Sequence, residues 1–193
     1  MMRLAWVSLS IIAMLAACAS PRASFYRLST DDTLTATAVQ APARPVIVGP
    51  VTVPDLVDRP QIVTRNTDNE VALNEFARWG EPLKSSIADA IAGDLTVLLG
   101  SDRVAVASRA IPETQALRVR VDIQQFESIP GDAVMIDARW SVRGNMDDAG
   151  ATGRSLVREA VTGPDFDALV AAHSRALGRV SRDIAGAVGG GGR

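Results

Sequence analysis

The single cysteine and single histidine among the 193 residues limit the chemistry that the chain can perform. Nucleophilic catalysis needs a nucleophile beside a base, but Cys18 lies near the N-terminus and His173 falls on the apolar stripe of a predicted C-terminal helix. These residues are too few for a transition-metal site. The sequence also lacks the acidic loop typical of calcium sites and a glycine-rich phosphate loop. We therefore predict no catalytic, metal or cofactor site, and we interpret His173 as a packed core residue.

Cys18 ends an N-terminal segment with the features of a secretory signal. Arg3 precedes an apolar run, Leu4–Ala17, that is shorter than the about 20 residues of a membrane span. The small residues before Cys18 resemble the bacterial lipobox, where the chain is cut before the cysteine and the thiol is acylated. We predict that residues 1–17 are removed and that Cys18 carries three palmitate-type acyl chains. Because two signals already hold a protein stably, three chains would anchor it firmly.

The remaining sequence is consistent with an exported lipoprotein, the alternative being an ordinary signal peptide with a stray cysteine. No second cysteine occurs, and an unpaired thiol would be a liability in an oxidising periplasm. Ala19 stands where Asp would resemble an inner-membrane retention signal, so the sequence favours the outer membrane, facing the periplasm. Removal of Arg3 changes the formal charge from -2 to about -3, which argues against binding of nucleic acid.

Strand-like and helix-like periodicities alternate along the rest of the chain. The clearest is a β-hairpin, because alternating runs at 117–124 and 134–143 flank the turn residues Pro130-Gly131-Asp132. In a later strand we expect Leu156 to point inward, with Val157 or Val161 as further candidates. Helices are predicted at 82–99 and 163–188, and strands at 25–28, 46–53, 61–65, 70–73, 103–107 and 154–162.

This order of elements predicts an α+β fold. We expect a single domain, residues 24–188, with a mainly antiparallel β-sheet and two long amphipathic helices packed on one face. Residues 18–23 would form the lipidated tether. The stretch 29–44, rich in Thr, Ala and Pro, is interpreted as a flexible loop and 189–193 as a disordered tail.

Two segments that combine charge with apolar or aromatic residues are candidates for binding a partner. They are Asp58–Arg65 and Phe76–Leu83. Arginine and tryptophan are enriched at protein interfaces. The alternative is that the tryptophan caps the core and that the arginines are solvated or paired, as expected for the polar face of the hairpin. The candidate interface residues are Arg59, Gln61, Arg65 and Trp79, and the arginines on the polar face of the hairpin are Arg118, Arg120, Arg139 and Arg143.

The sequence resembles the PqiC family of ABC-type transport auxiliary lipoproteins in four places. In chain order these are the lipobox, Phe25-Tyr26-Arg27-Leu28, the run Asp58–Arg65, and Trp79-Gly80-Glu81-Pro82-Leu83 at the start of a helix. The most specific of them is the Arg-Pro-Gln-Ile-Val-Thr-Arg sequence within Asp58–Arg65. The resemblance covers nearly the whole mature chain.

The resemblance implies a non-catalytic lipoprotein of the outer membrane that works with a periplasmic MCE-domain protein. Through that partner it would act with an inner-membrane permease and ATPase that move lipids between the membranes and support envelope integrity. It also implies a homo-oligomeric ring that docks on the end of an MCE tube. It provides no catalytic residues to transfer to this chain.

Other functional classes remain open at this point. The protein would otherwise be a structural or assembly lipoprotein, such as a chaperone or pilotin-like factor, since an exposed sheet edge accepts a partner strand. A periplasmic hydrolase is disfavoured because the sequence offers no nucleophile beside a base. Direct contact between this protein and lipid is also left open.

Overall fold

The structure of the protein is a computed structural model that describes residues 22–36, 44–109, 115–144 and 150–190. These residues form an α+β fold, as predicted. The described elements are β1 (Ser24–Tyr26), β2 (Val46–Thr52), β3 (Gln61–Arg65), β4 (Val71–Trp79), α1 (Leu83–Leu99), β5 (Val104–Val106), β6 (Leu117–Ile129), β7 (Ala133–Arg143), β8 (Ala151–Ala160) and α2 (Phe166–Gly190).

The larger sheet has the strand order β5-β2-β6-β7-β8. Its centre is the predicted hairpin of β6 and β7, whose turn contains Gly131 with a positive φ of 72°. Leu117, Val119 and Val121 of β6 are buried, and the arginines between them, Arg118 and Arg120, are exposed. The hairpin therefore has one face towards the core and one towards solvent.

The smaller sheet has the order β1-β4-β3 and is separate from the larger one. We predicted a single sheet, but β1 pairs in parallel with β4, and β2 pairs in parallel with β5 and β6. These parallel pairings join segments distant in sequence, which periodicity does not reveal. Strand β4 also continues to Trp79, beyond the predicted end at residue 73. Its pairing register with β3 shifts between Gln61 and Ile62.

Both helices pack on the same face of the larger sheet. Helix α1 begins after Pro82 and is capped by Gly100 in a left-handed conformation (φ 56°). The N–H of Gly100 donates to the carbonyl of Val97 and that of Ser101 to the carbonyl of Thr96. Helix α2 buries Leu169, Leu177 and other residues of the predicted stripe. It extends through Gly190, and residues 191–193 lie outside the described ranges.

The direction predicted for Leu156 is wrong. Its side chain is 68% exposed, whereas Ser155 is buried and Val157 packs against the core. Leu156 pairs with Asp137 on the outer face of the sheet, and Ser155 donates a hydrogen bond to Asp183 of α2 at 2.5 Å. A Leu-Val pair places one apolar residue on each face of a strand, so composition alone did not determine which one is buried.

A buried polar network joins the chain after β1 to both helices. Asp94 of α1 accepts hydrogen bonds from the backbone N–H of Asp31 and the hydroxyl of Ser181, both at 2.9 Å. Arg182 lies 3.8 Å from the carboxylate of Asp31. Asp31 and Leu34 are buried, so this part of the predicted loop 29–44 packs against the helices. Residues 37–43 of that loop lie outside the described ranges.

We expect Asp94→Asn to stabilise the protein at neutral pH. Burial raises the pKa of Asp94 from 3.8 to about 6, against the opposing effect of the hydrogen bonds from Asp31 and Ser181. The folded state thus binds the proton more tightly than the unfolded state, and stability is lost as the pH rises between these values, by about 3 kcal/mol. The asparagine oxygen retains the bond from Asp31, and its amide donates to Ser181.

Urea unfolding at two pH values tests this expectation. The Asp94→Asn variant should exceed the wild type by about 1–3 kcal/mol near pH 7 and match it near pH 4, where Asp94 is protonated in the folded state. A variant that is less stable than the wild type near pH 7 would show that the carboxylate is charged and favourable in the core.

Candidate functional site

The two sequence segments singled out for partner binding meet in one cleft. It has a volume of about 360 Å³ and lies where β3 begins, β4 ends and α1 starts. Its walls come from both segments. The residues just before β3 and those just before α1 therefore form a single surface. The lining residues are Asp58, Arg59, Pro60, Trp79, Glu81, Pro82 and Leu83.

Backbone hydrogen bonds hold the two segments together. The N–H of Trp79 donates to the carbonyl of Pro60 at 2.7 Å, and the N–H of Gly80 donates to the carbonyl of Tyr26 at 2.8 Å. Gln61 is the register partner of Arg78. Pro82 lies between β4 and α1 as the N-cap residue of the helix, with φ -53° and ψ 129°.

Trp79 forms the inner wall of the cleft and belongs to the core. Its side chain is only 6% exposed, and its ring contacts that of Phe126 edge to face, with centroids 6.3 Å apart. The structure thus favours the interpretation in which Trp79 caps the core. A partner would touch this residue only through the cleft.

Arg59 gives the cleft its distinctive polar group. The residue is half-buried, and its Nε atom is buried without a hydrogen-bond acceptor in the part of the chain that the structure describes. On the rim, Lys84 forms an ion pair with Asp58 at 2.7 Å. Because Arg59 lines the cleft and carries a positive charge, a carboxylate or carbonyl oxygen from a partner would be favourable beside its guanidinium group.

Gln61 and Arg65 lie outside this cleft, on the small sheet. Arg65 forms ion pairs with Glu127 at 3.1 Å and Asp68 at 3.4 Å, and Gln61 donates a hydrogen bond to Glu75 at 3.4 Å. The structure therefore brings together Arg59 and Trp79 and separates them from the other two candidates. Arg65 is paired, as the alternative interpretation expected.

His173 has no access to the surface. It is 0% exposed, its Nε2 atom lies 2.8 Å from the hydroxyl of Ser128, and its ring stacks on Phe126 with centroids 4.1 Å apart. Burial lowers the pKa of His173 to about 3, so the ring is neutral. The prediction of a packed, hydrogen-bonded core histidine is confirmed.

The described residues contain no group of three or more His, Cys, Asp or Glu side chains able to hold a metal ion. Within the same ranges, no helix is both long and apolar enough to span a membrane. Cys18 lies outside the described residues.

Sequence reasoning missed an apolar surface on the small sheet. Phe25 of β1 is 68% exposed and Phe76 of β4 is 51% exposed. The available signal was the alternation of Phe76 and Arg78 with Ala77 and Trp79, which places the two sets on opposite faces of a strand. That signal was hidden because this stretch was interpreted as the approach to a helix.

Comparisons with known proteins identify the family and the fold. The family model for ABC-type transport auxiliary lipoprotein components matches residues 26–185. A crystal structure of an uncharacterized protein, 18% identical, gives a TM-score of 0.69 over 86% of this chain and 97% of that chain. The crystal structure of protein XCC0632 from Xanthomonas campestris, of the family DUF330, is 20% identical and gives 0.68 over 88% and 97%. A search of curated proteins returned no match.

The two crystal structures show a shared fold, and the family match spans both segments of the cleft and both helices. The resemblance to PqiC based on the sequence motifs agrees with this match. The chain belongs to the family of ABC-type transport auxiliary lipoproteins, components associated with an ABC transport system.

Proposed function

We propose that this protein is a non-catalytic subunit of an MCE/ABC-type system that moves lipids between the two membranes and supports envelope integrity. In this proposal residues 1–17 are a removed signal peptide, and acyl chains on Cys18 anchor residues 18–23 to the outer membrane. Residues 24–188 then face the periplasm and contact an MCE-domain protein. That protein connects them to an inner-membrane permease and ATPase, and several copies of the chain form a ring.

The observation that supports this proposal is the cleft itself. Two of the segments on which the family resemblance rests, 58–65 and 79–83, are joined by the hydrogen bond from Trp79 to Pro60, and residues of both line one concavity. Clefts with an apolar wall and a few placed polar groups are typical binding sites. We infer that an extended or helical element of the MCE-domain protein enters this cleft and offers an oxygen atom to Arg59.

The chemistry of the described residues supports a binding role. His173 is buried in the core and neutral, and ATP hydrolysis would be carried out by another subunit. In this proposal the protein binds the end of the MCE-domain protein and holds it near a membrane.

Photo-crosslinking in living cells tests the proposed partner. A photoreactive phenylalanine derivative replaces Leu56, which is 46% exposed in the loop that leads to the cleft, so that Arg59 stays intact. The matched control carries the same group at Leu156, 68% exposed on the larger sheet. We expect position 56 to capture an MCE-domain protein and position 156 to capture none.

A second variant connects capture with the cleft. Arg59→Glu reverses the charge that is proposed to meet an oxygen atom, so it should abolish capture from position 56 while the protein level stays unchanged. Capture of an outer-membrane assembly protein by position 56 would instead support the chaperone or pilotin-like alternative. Capture that persists in Arg59→Glu would remove the cleft from the interface.

A further inference from the structure

The outer face of the small sheet carries exposed apolar side chains from two of its three strands, β1 and β4. Phe25 pairs with Arg78, Arg78 with Gln61, and Val63 with Leu73. Cross-strand partners point to the same side of a sheet, and residues two apart on a strand do likewise. The opposite face carries Trp79 and other buried residues. We call the exposed set Phe25, Val71, Leu73 and Phe76 the apolar face.

Most of the large apolar side chains that are exposed in the described ranges lie on this face. Its members are four of the six large apolar side chains that are exposed in the described ranges, at 68%, 43%, 43% and 51% in chain order. Single exposed apolar residues are ordinary, but several on one face of a small sheet indicate an interaction surface. Both arginines on this face are paired with carboxylates, since Arg78 meets Glu75 at 3.2 Å and Arg65 meets Glu127 at 3.1 Å.

The position of the face in the chain indicates what covers it. Phe25 follows Cys18 by only seven residues. A fully extended chain gains at most about 3.5 Å per residue, so the acylated cysteine and Phe25 are within about 25 Å of each other. That distance is smaller than the thickness of a bilayer, which is about 40 Å with its headgroups. The anchor thus keeps this face close to the lipid surface at all times.

We propose that the apolar face rests on the membrane leaflet that holds the acyl chains. This inference rests on the lipid anchor of the proposed function. Phe25 and Phe76 enter the boundary between headgroups and acyl chains, as the apolar faces of interfacial elements do. Since Arg65 and Arg78 are already paired with carboxylates, the contact depends on burial of apolar side chains and needs no anionic lipid. The contact fixes the orientation of the domain and places the cleft, one strand away, beside the membrane surface.

Tryptophan fluorescence of the full lipidated protein in vesicles tests the contact. The vesicles contain phosphatidylethanolamine and phosphatidylglycerol, with or without a phospholipid brominated on its acyl chains, which quenches tryptophan on contact. Phe25→Trp is compared with Leu156→Trp, because the two native side chains are equally exposed, at 68%. The wild-type signal of Trp79 and Trp140 is subtracted.

We expect the emission of residue 25 to shift to shorter wavelength and to lose intensity in brominated vesicles, and that of residue 156 to be unchanged. Mass spectrometry of the same samples reports on the anchor. An unacylated Cys18 overturns the anchor and, with it, the argument from tether length. An acylated Cys18 with unquenched Phe25→Trp overturns the membrane contact alone. A photoreactive group at Phe76 that captures a protein in cells would also overturn it.

Discussion

Acidification from about pH 6.5 to about pH 3 is expected to remove about 5 kcal/mol from the free energy of unfolding through His173 alone. Burial lowers the pKa of this ring from 6.5 to about 3, so the folded state holds it neutral. In the unfolded chain the ring gains a proton as soon as the pH falls below 6.5. The stabilisation is therefore complete above that value and is lost progressively down to about 3.

The double variant His173→Phe, Ser128→Ala isolates this effect. A phenyl ring keeps the stacking on Phe126, and the alanine removes the hydroxyl that would lose its partner at 2.8 Å. Urea unfolding should show that the loss of stability between about pH 7 and pH 4 is smaller by about 3 kcal/mol than in the wild type. The opposite contribution of Asp94 is common to both proteins and cancels in the comparison.

Ser128→Ala alone is the matched control for the acid effect. It retains the histidine, so it should keep the acid sensitivity of the wild type. An unchanged pH dependence in the double variant would mean that the folded state accommodates a protonated His173, in conflict with its complete burial.

The second large effect is expected from Trp79→Ala, at a cost of about 4 kcal/mol in the free energy of unfolding. The indole is 6% exposed, packs edge to face on Phe126 and belongs to the main core. Its loss leaves a cavity between β4, β6 and the start of α1. Arg59→Ala, on the opposite wall of the cleft, should change stability by about 0.5 kcal/mol or less.

Urea unfolding of these two variants separates stability from binding. Trp79→Ala should lower the free energy of unfolding and also prevent capture of the partner. Arg59→Ala should prevent capture and leave the free energy of unfolding nearly unchanged. A Trp79→Ala protein of near wild-type stability that no longer binds would show that the indole acts at the interface and contributes little to the core. Trp79→Phe should recover much of the free energy of unfolding that Trp79→Ala loses, so it separates the role of Trp79 in the core from a role at the interface.

Local sequence patterns were sufficient for the long hairpin and both helices. The strict alternation from Leu117 to Ile123 leaves one face for the core, and Pro82 and Gly100 bound the first helix because each suits only one end. The buried role of His173 followed from its place among Leu169, Val170 and Leu177. In these elements the local preference and the tertiary structure agree.

The parts that were not predicted depend on contacts between distant segments. The small sheet forms because β1 pairs in parallel with the end of β4, more than fifty residues later in the chain. Leu156 and Val157 are both apolar neighbours, and the tertiary structure shows that Val157 packs against the core while Leu156 is exposed. Similarly, motifs indicated Arg59 and Trp79, but only the tertiary structure shows that they line one cleft and that Arg65 is paired elsewhere.

The membrane contact and the cleft are compatible in one arrangement. Gly80, at the cleft, bonds directly to Tyr26 of the strand that carries Phe25. A domain lying on its apolar face would thus present the cleft close to the lipid surface. A partner bound there would end beside the membrane, which is where a lipid carrier must deliver or collect its cargo.

The most direct test of the central claim is a binding measurement between the purified full-length protein in detergent and MCE-domain proteins of the same organism. We predict that the wild type and Arg120→Glu bind one of them equally, since Arg120 lies on the outer face of the larger sheet. Arg59→Glu should lose this binding while it unfolds at the same urea concentration as the wild type. If the wild type binds none of these proteins, or if Arg59→Glu binds as well as the wild type, the proposed docking role of the cleft is contradicted.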